Sequence, residues 1–256
     1  MVKRWLLTAT AVVFFIILWW VIASLAGSAL FPTPDKVFLA LINILRAPNG
    51  WKHIGITTYR VIAGTLIGSL FGILLGLMTR YNRVIEATVK SVIHPVLQSV
   101  PSICWALVFV LWLGLSNATP ILTVAVAVAP FFIINIWEGM KELDLNLVEM
   151  AGVYTHRRLP VLSKVIAPML YPFAFAATKS SFMTAWKIII PAEIFGSISG
   201  MGYMLSLAFE SYRIPQVFGW TLAFAIILLT FDRGIFDYID RRYIRKWKPV
   251  ETTSSE

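Results

Sequence analysis

An all-α membrane protein with six transmembrane helices and a helical cytoplasmic loop is the fold class the sequence predicts, on three observations. The first is composition: 58% of the 256 residues are hydrophobic and only 14% charged, with a mean hydropathy of +0.78. Soluble domains are about half apolar and about a quarter charged, so a water-soluble chain of this length would lack the polar surface to cover its core. The second is the set of apolar stretches near 5–27, 55–78, 95–115, 119–137, 168–190 and 216–232, each close to the ~20 residues that span a bilayer. The third is where the charge lies.

Placing the N-terminus inside puts Lys3, Arg4, Arg80, Arg83, Lys90, Lys141, Arg157, Arg158, Lys164, Arg233, Arg241, Arg242, Arg245, Lys246 and Lys248 in cytoplasmic segments. The outside segments then hold only Lys36, Arg46, Lys52 and Arg213, while Arg60, Lys179 and Lys187 fall within or at the edge of spans. This bias predicts both termini inside. The net charge of +9 is therefore an orientation signal, and nucleic acid is excluded as the partner it implies. The single Cys104 sits among apolar residues, so neither a disulfide framework nor a thiolate metal cluster is expected.

Along the chain, the first span follows Lys3-Arg4 and runs without a charge to Pro34. It is longer than the roughly 7–15 apolar residues of a signal peptide and is read as a retained helix. "FPTPDKVFLALINILRAPNGW" then predicts a proline-rich turn and a short amphipathic helix outside, near the interface. In span two, Gly64, Gly68, Gly72 and Gly76 recur every fourth residue. Such a stripe lets another helix approach closely where lipid removes the hydrophobic driving force, so these four are helix-packing positions. Span three opens with "HPVLQSVPSICW", where Pro95 and Pro101 interrupt regular helix. Irregular backbone at membrane depth is tolerated only when buried in protein or lining a cavity. Gln98, Ser99 and Ser102 are accordingly pathway candidates, with a kinked helix end at the interface as the other reading.

The polar segment near 138–167 separates spans four and five. Leu147, Met150, Ala151 and Tyr154 fall at i, i+3, i+4 and i+7, one apolar stripe on a short helix. Thr155 can cap a second turn before Pro160, and Arg157 and Arg158 border it. An apolar face turned to the cytoplasm lies either on lipid or in a partner's groove. The pattern alone favours lipid, since these basic residues suit anionic headgroups. In span five, Lys179, Trp186 and Lys187, with Glu193 beyond Pro191, are candidates for the pathway, because ionisable groups in a span default to function. Lys187 has a second reading, snorkelling to the outer interface.

The loop resembles the coupling loop of ABC importer permeases: Glu-Ala-Ala, three residues, Gly, nine residues, then Ile-x-Leu-Pro. Glu149 takes the acidic place, Met150 and Ala151 the two alanines, and Val165-Ile166-Ala167-Pro168 the end. Met150 departs from alanine, and Thr155 stands where glycine is usual. The resemblance extends to the nitrate/sulfonate/taurine branch through "FPTPDKV", "YRVIAGTLIGSLFGILLGL", "VPSICWALVFVLWLGLSNAT", "PMLYPFAFAATKSSFMTAWKIIIPAEIFG" and "GMGYML". It implies a type I importer permease fold in a bacterial or archaeal cytoplasmic membrane. For Lys179 and Glu193, which match a basic and an acidic family position, it implies a structural reading in which they are paired with neighbouring helices. It also implies a second permease copy, a cytoplasmic ATPase dimer gripping the loops, and a solute-binding protein outside. The sequence carries no G-x-x-x-x-G-K-[ST] phosphate cradle, so no cofactor is expected on this chain, with ATP and Mg on the ATPase subunits. The expected cargo is a small anion, with a neutral or cationic vitamin precursor as the other possibility.

Three other classes fare worse. An ion-coupled transporter would show inverted repeats with discontinuous helices, and the two halves do not match in hydropathy. A channel would leave the docking loop unexplained. An enzyme would need clustered catalytic groups, but His53, His94 and His156 lie in separate segments.

Overall fold

The computed structural model describes residues 2–27, 30–80, 82–154 and 158–236. All regular elements among them are helical, and they group into two compact units, Met1–Thr57 with Ser199–Ile227, and Thr58–Ile198 with Leu228–Glu256.

The first unit holds α1 (Val2–Ala26), α2 (Pro34–Arg46), the start of α3 (Pro48–Met78), α11 (Met201–Glu210) and most of α12 (Ile214–Thr230). Thr33 and Pro34 begin α2, Pro34 where its missing N–H costs nothing, and Val37, Ala40, Leu41 and Ile44 form its buried stripe. That stripe meets α12 so closely that a Cβ on Gly219 would lie 3.2 Å from the Ala40 Cβ. Two α3 side chains satisfy amides at the start of α11: His53 Nδ1 accepts from the Gly200 N–H at 3.0 Å and Thr57 Oγ1 from the Met201 N–H at 2.8 Å. At the other end of α11, the Tyr212 N–H donates to the Phe209 carbonyl and the Arg213 N–H to the Ala208 carbonyl. This is the Schellman hydrogen-bond pair, with Tyr212 at φ 55° in the left-handed place that glycine usually takes.

The second unit is built around α7 (Ala118–Lys141), whose buried positions run from Thr119 to Met140. The glycine ladder of α3 lies on it. A Cβ at Gly64 would meet the Val124 Cβ at 2.7 Å, one at Gly72 the Phe132 Cβ at 2.6 Å, and one at Gly76 the Ile136 Cβ at 2.8 Å. Gly68 faces the Ala125 carbonyl and Val128. Val124, Val128, Phe132 and Ile136 are themselves spaced by four, so two rows of the same period mesh, and the rising numbers on both sides make α3 and α7 parallel. Parallel neighbours require the chain between them to run back to the end where the first began. By contrast α10 (Ala167–Gly196) is antiparallel to α7, since Gly139 faces Phe173 and Gly196 faces Thr119.

Several span expectations change. The third is not one helix: α4 (Arg83–Thr88), a π-turn (Val89–Ile93) and α5 (His94–Ser99) run on to Pro101, where α6 (Ser102–Leu113) departs at 86°. The cause is local, because the residue before a proline is pushed out of helical conformation and Val100 is extended. The fifth span begins one residue early and continues six residues past 190, through Pro191, because packing on α7 holds the helix where that proline removes one hydrogen bond. Among the described residues, only α3 and α7 are single helices long and apolar enough to cross a membrane. The count reaches four if the helices broken at 100–101 and at 197–200 each form one crossing, while Thr10–Ala26 and α12 are shorter apolar helices. The polar segment contains α8 (Leu145–Tyr154) and α9 (Arg158–Val161), the latter continuing through a π-turn (Leu162–Ile166) into α10.

Candidate coupling surface and translocation cleft

Asp144 starts α8 by accepting the Asn146 N–H on Oδ1 at 2.9 Å, satisfying one of the first-turn amides. The helix then has two faces. Val148 packs on a cluster of Ile136, Met140, Leu143, Ile166 and Leu170, which joins the end of α7 to the start of α10. Ala151 and Gly152 are partly covered beside it. On the opposite side Leu147, Met150, Val153 and Tyr154 are exposed, the last two at 82% and 85%. Three of the four residues expected on the apolar stripe are therefore there. Ala151 is displaced toward the inner face, and Val153 takes a place on the outer one that strict i, i+3, i+4 spacing does not give it. Glu149 is exposed with Asn146. Arg158 opens α9, while Thr155 and Arg157 lie outside the described residues.

Above this end of α7 is a second cluster that the sequence reading missed. The Trp137 Nε1–H donates to Glu86 Oε1 of α4 at 3.0 Å. The Lys141 Nζ lies 3.4 Å and the Lys90 Nζ 5.4 Å from the centre of the same ring, both within cation–π range. Its signal was Trp137 and Lys141 one turn apart at the end of an apolar helix, although nothing local names Glu86 as their partner.

A cleft of about 270 Å³ is enclosed by α5, α6, α7 and α10. Gln98 and Ser102 line it, together with His94, Trp105, Pro130 and Thr184. The break at Pro101 puts the polar residues there by turning α6 away from α5. No carboxylate, lysine or arginine is among the lining residues. Ser99, Lys179, Trp186, Lys187 and Glu193 do not line it. Lys187 is exposed three residues from Thr184, on the exposed stripe of α10 that carries Ser180 and Phe195. Lys179 is half-buried. Trp186 has no exposed surface and lies 6.2 Å from the Phe182 ring and 5.5 Å from the Phe231 ring. It is a packing residue in this structure, because it falls on the α10 stripe that also buries Phe182 and Ile189.

Glu193 is likewise turned inward. Its Oε1 accepts from Arg60 Nη1 at 2.8 Å, and both side chains are 1% exposed or less. Nη1 also reaches Ser197 Oγ at 3.2 Å, while Nε and Nη2 both donate to Asn117 Oδ1, at 3.1 and 2.6 Å. A buried ion pair is tolerated when hydrogen bonds satisfy its remaining atoms. Here α3, α10 and the residue preceding α7 meet through one guanidinium. An arginine in span two and a carboxylate in span five were the available signal.

Residues 68–245 match the family described as binding-protein-dependent transport system inner membrane component. A protein named as an aliphatic sulfonates transport permease, from Bacillus subtilis, is 28% identical over 235 residues, covering 91% of this chain and 84% of its own length. The Escherichia coli protein named for taurine transport is 23% identical, covering 85% of this chain and 81% of its own. Among solved structures, a chain of an amino acid ABC transporter superposes with a TM-score of 0.59 at 16% identity, covering 75% of this chain and 92% of that one. A chain of the MetNI methionine ABC transporter in an inward-facing conformation gives 0.58 at 17% identity, covering 78% and 94%. With its parallel glycine-packed helices, broken third segment and exposed short helix between α7 and α10, the chain belongs to the family of inner-membrane permease components of binding-protein-dependent ABC importers.

Proposed function

We propose that this permease carries a small organic anion of the sulfonate class, that two copies form the pathway, and that a cytoplasmic ATPase dimer drives it through α8. The exposed apolar face of Leu147, Met150, Val153 and Tyr154 carries the reading. A helix whose inner face is fixed to the ends of α7 and α10 passes a push on its outer face directly to both. ATP and Mg reside on the ATPase subunits, a solute-binding protein delivers the cargo outside, and both termini face the cytoplasm, as the basic-residue bias supports.

The anion preference rests on three supports. The cleft offers hydroxyl, amide and imidazole groups and no carboxylate to repel a negative charge. Lys187 sits on the exposed stripe beside Thr184, where a cation raises the local potential for an anion. Relatives named for sulfonate and taurine transport extend over most of the chain.

The test is copurification from native membranes, followed by ATP-dependent uptake of a radiolabelled alkanesulfonate into vesicles. Native chain is expected to bring down an ATPase and to support uptake. Met150→Ser with Tyr154→Ser is expected to lose both while remaining folded. A chain that purifies alone in several mild detergents, with uptake insensitive to ATP, refutes the coupling role. Lys187→Met is expected to lower uptake several-fold at limiting substrate, and unchanged uptake removes Lys187 from the pathway.

A further inference from the structure

A separate cavity lies within the first unit, lined by none of the residues of the cleft or of the coupling helix. It measures about 630 Å³ and opens between α2, the 47–50 turn and the segment from α11 into α12. Its floor is apolar and buried, with Ile44 and Trp220 at 8% and 4% exposure. Its rim is polar and exposed, carrying Lys36 and Arg213 with the amides of Asn43 and Gln216. No carboxylate lines it. The adjacent Asp35 is engaged by the Thr33 hydroxyl, which holds its carboxyl below the usual carboxylate range.

Two further features bear on this rim. Arg213 is placed by the Schellman turn in which Tyr212 occupies left-handed backbone. A non-glycine residue held there is strained, and observed strain of this kind clusters at ligand clamps. The α2 wall also precedes the 68–245 region shared by the family at large, yet a sulfonate-named relative from Escherichia coli aligns over 97% of this chain.

We propose that this cavity binds an amphiphilic anion, its acidic head group between Lys36 and Arg213 and its aliphatic tail on the floor of Ile44 and Trp220. Volume, lining and charge match that chemistry: pockets for small ligands run to several hundred Å³ with an apolar floor and a few placed polar groups. The assignment rests on the proposed function in one respect, the extracytoplasmic placement of α2 and of Arg213. Two sources share the chemistry, the transported sulfonate and an anionic phospholipid of the surrounding bilayer.

The experiment uses the full chain with its copurifying subunits in nanodiscs, in two arms. In phosphatidylcholine nanodiscs, hexanesulfonate is titrated by calorimetry. In nanodiscs doped with phosphatidylglycerol, native mass spectrometry counts retained anionic lipid. Lys36→Met with Arg213→Met is expected to weaken whichever ligand binds by at least tenfold with an unchanged melting temperature, and Lys36→Arg with Arg213→Lys to retain it. Loss in the first arm identifies the solute as the occupant, and loss in the second alone identifies lipid. No binding in either arm, or binding equal in the Met variant, overturns the site. Sulfonate uptake by the native complex is read separately. Uptake without binding in either arm removes only the cavity, and binding without uptake removes only the transport reading.

Discussion

The two ends of α7 are held by opposite means. At its start, buried Arg60, Glu193 and Ser197 form a hydrogen-bonded group that the exposed Asn117 joins through its Oδ1. At its finish, an apolar cluster anchors α8, and a tryptophan with two lysines over its ring faces a partly exposed carboxylate. The first arrangement fixes one geometry and tolerates no vacancy, since an orphaned buried charge is severely destabilising. The second leaves half of a helix uncovered, and it can do so because the opposite half is secured by packing. One helix thus carries a rigid joint at one end and a mounting for an external partner at the other.

The largest effect is expected at the joint. Arg60→Met strands Glu193 and is expected to lower stability by about 3–5 kcal/mol, read as thermal unfolding in detergent. Arg60→Met with Glu193→Leu should recover most of that loss. A double variant no better than the single would show that the pair does more than balance charge.

Between the two ends the ladder is next in size. Gly72→Val forces side-chain atoms onto Phe132 and the Ala129 carbonyl, and overpacking of this kind costs about 1–3 kcal/mol. Gly55→Ala, where an added Cβ meets nothing within 4 Å, should instead raise the melting temperature slightly through restriction of the unfolded chain. Stabilisation by both would mean that helix propensity, not close approach, governs α3.

At the mounting the contrast is within α8 itself. Val148→Ser is expected to destabilise by about 1–2 kcal/mol, as the loss of a partly buried apolar side chain, whereas Met150→Ser should change stability by under about 0.5 kcal/mol and act only on ATPase retention. If Met150→Ser lowers the melting point as much as Val148→Ser does, the outer face is packed and not free for docking. A loss no larger than that at Val148 is expected of Trp137→Phe. It keeps a ring for the lysines but removes the indole donor to Glu86, worth about 1 kcal/mol.

The order of the helices and the glycine ladder were legible in the sequence because each has a local period. Four glycines at steps of four declare a packing face whatever lies opposite, and the structure supplies Val124, Val128, Phe132 and Ile136 as the answering row. The end of α8 was half legible: spacing gave Leu147, Met150 and Tyr154, but which edge of the stripe turns inward depends on the cluster at Ile166 and Leu170, remote in the chain. Pairings across long separations were legible only as residue types, without their partners. Glu193 and Trp186 carry the residue types of a pathway, and only the stripe of α10 that meets α3 and α7 decides that they are interior. The bend at Pro101 was visible as an interruption, yet a proline pair alone does not give the 86° angle at which it opens the cleft. In α11, ten residues between two short turns are too few for periodicity to register.

The π-turn at Leu162–Ile166, closed by the Ala167 N–H onto the Leu162 carbonyl, has a consequence for how this protein tolerates changes in length. A π-turn accommodates one residue more than the α-turn it replaces, so the surplus is absorbed locally and the helix on either side keeps its phase. Removing one residue from within 162–166 would tighten the turn to α and leave Thr184 facing the cleft and Arg60 still opposite Glu193. The same deletion a few residues later, in the regular helix, would rotate everything beyond it by about 100° and separate them. The join between the coupling segment and α10 is therefore a place where this helix can gain or lose a residue across generations without losing its aim.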